Sequence, residues 1–183
     1  MLSDGLFFML KSTIHFTHSH PKRAPMNTAQ SAIVPDHCKS GIFIEADAQG
    51  STDAIKQACA QSLAALADLQ TQFPDASLGL TIAFGSRLWQ SFGRSEEGRD
   101  IKPFSPLGGG LAPATQHDVL IHIQSLRHDL SIALADKVLA AFGNSISVAD
   151  ETHGHRLLEE RGFDGFVDGT ENPQDEARAE VAV

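Results

Sequence analysis

The chain has 183 residues, enough for one well-packed domain, and its 42% hydrophobic and 20% charged shares are those of a folded globular protein rather than a disordered one. A formal charge of −9 argues against a polyanionic partner, because phosphate backbones are bound by clustered Lys and Arg, so nucleic acid is set aside. Cys38 and Cys59 are the only cysteines and lack a CxxC spacing. They make neither a disulfide framework nor a tetrahedral metal site and read as buried free thiols.

The N-terminal stretch differs from the rest. Its apolar patch at residues 6–10 is far short of the ~18 to 20 residues a membrane span requires, so no membrane partner is expected. Asp4 before the patch, Lys11 after it and the lack of a twin-Arg pair fit no secretory signal, which makes the cytoplasm the expected compartment. His15, His18 and His20 followed by a Pro-flanked basic run show no helix or strand period. Residues 1–30 are therefore expected to form a poorly structured leader, with Met26 a plausible natural start.

A regular pattern begins after Lys39. Residues 41–46 form a short apolar run that reads as a buried strand. Thr52 or Asp53 can cap a helix whose apolar positions Ile55, Cys59, Leu63, Leu66, Leu69 and Phe73 recur at helical spacing until Pro74. Leu80, Ile82 and Phe84 alternate on a second strand that Gly85 ends. The Gly- and Pro-rich stretch 93–116, with its Gly108-Gly109-Gly110, predicts a long irregular connection without the Lys-Ser/Thr that a phosphate loop needs. Trp89, just before it, reads as a packing residue.

Val119, Ile121 and Ile123 alternate on a third strand, with Leu120 and His122 on its other face. Asp129 can cap a second helix that buries Leu130, Leu134, Val138 and Phe142 and closes at Gly143; Ile146 and Val148 open a fourth strand. The order β-α-β, loop, β-α-β predicts an α+β ferredoxin-like domain over residues 31–156, an arrangement that hosts many unrelated functions. His153-Gly154-His155 has the alternate spacing of strand-borne metal ligands, but no third or fourth ligand is evident, and no metal site is assigned.

The chemistry is concentrated in residues 157–183. Three glycines and a closing Asn-Pro in the run from Arg161 to Pro173 predict a tight loop in which Phe163, Phe166 and Val167 can pack while Asp168 is held in place. Gly165-Phe166-Val167-Asp168-Gly169 resembles the GxxDG signature of dye-decolourising haem peroxidases. With Thr170-Glu171-Asn172-Pro173 it is similar to the bacterial branch that contains cytoplasmic deferrochelatase/peroxidase-like proteins. Ala83-Phe84-Gly85, Gly110-Leu111-Ala112-Pro113 and Asp118-Val119-Leu120-Ile121-His122-Ile123 add to the resemblance, which extends over roughly residues 31–183.

The resemblance implies two ferredoxin-like halves, with haem b in the C-terminal half and the Asp loop over its distal face. It makes Asp168 the catalytic acid-base for hydrogen peroxide and places Gly165, Gly169, Thr170 and Asn172 on the haem-facing loop. Small aromatic compounds would be the reductants, in a homo-oligomer. A carboxylate titrating near ~3.9 stays available as a base in mild acid, where a histidine would be protonated. The family's axial His and distal Arg follow the Asp loop, whereas no His follows His155 here and Arg178 stands too near the motif. The expectation is an N-terminal fragment of the peroxidase, inactive or nearly so by itself. The alternative is a haem-free ferredoxin-like module that pairs through its sheet, or an inactive remnant.

Overall fold

The structure is a computed structural model that describes residues 28–35, 38–167 and 169–182. Most of the expected leader, and Asp168 itself, lie outside the described residues.

Four strands and two long helices build the domain. Strand β1 spans Ser40–Ala48, β2 Gly79–Phe84, β3 Val119–Ser125 and β4 Ile146–His155; helix α1 spans Thr52–Gln72 and α3 His128–Phe142. The sheet order is β2-β3-β1-β4, with every neighbouring pair antiparallel. This is the predicted split β-α-β topology: each helical crossover returns to a strand one place beyond its neighbour.

The period of two along each strand sends one set of side chains inward. Ile42 faces Ile123, Ile44 faces Ile121, and Ile82 faces Ile121 from the other side, so a row of branched residues crosses the sheet. With Leu80, Phe84, Val119 and Ile146 they form a core closed by Ile55, Cys59, Leu66 and Leu69 of α1 and Leu130, Leu134, Val138 and Phe142 of α3. The core is continuous. Cys38 and Cys59 are both buried and unbridged, and burial pushes the Cys59 thiol up to about 12, which leaves it inert.

The structure corrects several local expectations. Ser51, not Thr52 or Asp53, caps α1: its backbone is extended and its Oγ accepts from the Ala54 N–H at 3.2 Å, whereas Asp53 lies within the first turn and pairs with Lys56. Leu63 is exposed, because the buried stripe runs through Ala58, Ser62 and Leu66; Ser62 returns its hydroxyl to the Ala58 carbonyl at 2.8 Å. Asp129 does not cap α3 either. Arg127 holds the cap position without a side-chain bond, and Asp129 in the first turn pairs with the Arg127 guanidinium.

Two short helices escaped the sequence reading, α2 at Ser86–Ser91 and α4 at Glu176–Ala182. Helix α2 buries Trp89 against Phe84 and Phe92, with the indole N–H on the Arg94 carbonyl, so Trp89 packs as expected. Beyond it the connection is irregular as expected, and Gly108, Gly109 and Gly110 take positive φ between the paired backbones of Leu107 and Ala112. No helix among the described residues is long and apolar enough to cross a membrane.

Candidate functional site

The glycine-rich loop hangs from the end of the edge strand. Strand β4 finishes at His155, and the Arg156 N–H then donates to the Lys39 carbonyl at 3.1 Å, fixing where the chain leaves the sheet. Residues 161–167 close on themselves through an isolated bridge between Arg161 and Val167 and through the Gly162 N–H on the Phe166 carbonyl at 2.9 Å. The Arg161 guanidinium also reaches the Gly165 carbonyl at 2.9 Å, and Asp164 Oδ1 accepts from the Phe166 N–H at 3.0 Å. Gly165 takes φ +87°, a conformation that side chains rarely adopt.

A second turn follows at once. Gly169 has φ +77°, the Asn172 N–H donates to its carbonyl at 3.1 Å, and a Cβ there would stand 3.0 Å from the Asn172 amide nitrogen. Two closed turns therefore flank position 168 in the chain. Gly165, Gly169 and Asn172 build them, and Thr170 is exposed beside them.

The expected packing of Phe163, Phe166 and Val167 is not what the structure has: all three are exposed. Their exposure runs from 42% at Val167 to 101% at Phe163. Among the described residues a bidentate polar pair lies elsewhere. Arg87 grips Asp118 with two guanidinium nitrogens, and Asp118 Oδ2 also accepts from the Ala48 N–H at 3.1 Å. The hydrogen bonds from Arg87 hold the Asp118 carboxyl below its ordinary range, and the pair ties α2 to the start of β3 as structural support.

His122 lies on the sheet face away from the helices, with its ring stacked on Phe43 at 4.4 Å. That face was the expected one. His128 was not singled out in the sequence at all. It sits at the start of α3, and its ring meets those of His153 and His155 at the end of β4. The predicted sheet order, which brings the end of β4 beside the start of β1, is the signal that could have found it.

The fold thus defines a ferredoxin-like α+β domain with a glycine-framed loop on its edge strand. The chain belongs to the Dyp-type peroxidase family, whose N-terminal domain matches residues 30–156. A dye-decolorizing peroxidase of Brevibacterium linens is 39% identical over 101 residues, 54% of this chain and 28% of that protein. The crystal structure of a dye-decolorizing peroxidase from Bacteroides thetaiotaomicron has a TM-score of 0.71 at 29% identity, covering 79% of this chain and 48% of that one. A Rhodococcus jostii DypB variant in complex with heme has a TM-score of 0.64 at 28% identity, covering 80% of this chain and 49% of that one. The chain spans about half the length of these solved relatives.

Proposed function

We propose that this chain supplies the distal, proton-handling part of a haem-dependent peroxidase, with Asp168 as the acid-base residue. The single observation that carries the reading is the run GFVDGTENP, whose described residues form two closed turns on either side of position 168, on a domain of the Dyp-type peroxidase family.

The loop's own surface fits one wall of a haem site. Phe163, Phe166 and Val167 are exposed, and nothing stands within 4 Å of a Cβ placed on Gly165, so a flat apolar ring could lie against the loop. The residues after His155 contain no histidine, so an axial ligand would come from elsewhere. Bound haem b would supply the iron at which hydrogen peroxide is reduced, with electrons drawn from small aromatic compounds.

The chain's residues do the remaining work. Asp168 accepts a proton from one oxygen of hydrogen peroxide and returns it to the other, which can then leave as water. Gly165 and Gly169 let the backbone turn tightly on both sides of that carboxylate, and Asn172 braces Gly169; Thr170 lies on the same haem-facing loop. In a complete haem-loaded enzyme that carries this segment, Asp168→Asn keeps the size and removes the base. We expect kcat/KM for peroxide to fall by roughly 10²- to 10⁴-fold while haem absorbance is unchanged. An unaltered kcat/KM would reject Asp168 as the proton carrier.

A further inference from the structure

The segment that carries the GFVDGTENP run is attached to the domain at both ends. At the N-terminal end the Arg156 N–H donates to the Lys39 carbonyl at 3.1 Å, directly after His155 pairs with Ser40 in the sheet. At the C-terminal end Arg178 Nη1 donates to the Val34 carbonyl at 3.3 Å. Both acceptors belong to the short stretch of chain that leads into β1. The whole run from Arg161 to Pro173 lies between the two anchors.

The Val34 anchor stands on a firmly held base. Gln30 and Ser31 bond the Ile82 and Leu80 backbones, the Ile33 N–H donates to the Gln30 carbonyl at 3.0 Å, and the Gln124 amide donates to the Ala32 carbonyl at 2.8 Å. On the loop side, every described residue from 170 to 181 is exposed except Arg178, whose Nε is shielded from solvent. Within that arm the guanidinium is therefore the group that enters the domain. Its N–H donors lie in a rigid plane, so the contact orients the arm as well as attaching it. A segment pinned at both ends samples far fewer conformations than a tail held at one.

We propose that Arg178 is a positioning residue for Asp168: by bonding the Val34 carbonyl it closes residues 157–177 into a loop fixed at both ends, and so limits where the carboxylate can go. The inference rests on the reading of Asp168 as the proton carrier. Moving a proton between the two oxygens of one peroxide needs the carboxylate within hydrogen-bond reach of both, ~2.6 to 3.2 Å, and a misplacement of ~1 Å can cost about 10²-fold in rate. The turns at Gly165 and Gly169 set the local shape of the loop; the Arg178 anchor sets where that shape stands against the sheet. In this role Arg178 touches neither peroxide nor iron.

Order and activity are read separately. In the full chain, backbone relaxation should give the Asn172 and Ala177 amides order parameters of ~0.8, falling below ~0.6 in Arg178→Ala while those of Ile121 and Ile123 in β3 stay unchanged. Arg178→Lys, which keeps a donor for the Val34 carbonyl, should hold the loop close to wild type. In a complete haem-loaded enzyme that carries this segment, Arg178→Ala should lower kcat/KM for peroxide roughly 10- to 10²-fold with haem absorbance unchanged, and should cost nothing further when Asp168 is already Asn. Unchanged order parameters overturn the proposal. So does an equal loss of kcat/KM in the Asp168→Asn background, which would show that Arg178 acts by a route other than that carboxylate. An unaltered kcat/KM in Asp168→Asn alone marks failure of the proton-carrier reading instead, and takes the positioning role with it.

Discussion

His122 shows how one side chain carries both packing and pH sensitivity. Its ring stacks on Phe43 with the planes 10° apart, and burial pushes its imidazole down to about 4 from an ordinary value of 6.5. The sign follows directly. Above pH 6.5 both folded and unfolded chains hold it neutral; as the pH falls, the unfolded chain takes a proton that the folded chain refuses, and stability drops until about pH 4. The loss is at most about 3 kcal/mol, and partial exposure reduces it. His122→Phe keeps a stacked ring and should flatten this part of the curve of unfolding free energy against pH. The same slope in wild type and variant would acquit His122. At this scale the sequence was uneven: the alternation of Leu120 with Ile121 placed His122 on the correct face, but its partner Phe43 is 79 positions away and only pairing of β1 with β3 brings them together.

Among the elements, the sheet edges are managed differently. Gln30 donates to the Ile82 carbonyl at 3.0 Å and accepts from its N–H at 2.9 Å, while Ser31 Oγ bonds the Leu80 carbonyl and N–H at 3.2 and 3.0 Å. Two side chains thus do for β2 what a neighbouring strand would do, which blunts an edge open to pairing with other chains. On β4 the edge carries Asp150 and Glu151 instead. Gly79 makes the first arrangement possible, since an added Cβ would stand 2.6 Å from the Ser31 carbonyl oxygen and 2.8 Å from Ala32 Cα, both backbone atoms. Gly79→Ala should displace the segment, cost about 1 to 3 kcal/mol, and speed hydrogen exchange at the Leu80 and Ile82 amides. Unchanged protection at those two amides would show that the segment tolerates the methyl. Sequence periodicity found the long elements because burying one stripe requires it, but α2 and α4 are too short to display a period. The caps were misjudged for a related reason: Thr52, Asp53 and Asp129 have the right chemistry, while cap position is set by backbone angles that composition does not report.

For the molecule as a whole, the described histidines at 117, 122, 128, 153 and 155 all lie in or beside the sheet and helices, whereas the glycine-rich loop carries none. Haem offered to this chain alone should therefore give no strong Soret band, and a sharp band at one equivalent would show that an axial ligand is supplied from within it. The α+β class, most core positions and the GFVDGTENP loop are legible without coordinates, because strand and helix periods and turn-forming glycines are written in neighbouring residues. Tertiary structure alone decided three other matters. It left Phe163 and Phe166 exposed, it closed the β2 edge with Gln30 and Ser31, and it gathered His128, His153 and His155. Each depends on contacts, made or absent, between segments far apart in the chain, and the register and order of strands that decide them arise only when the whole core is buried at once.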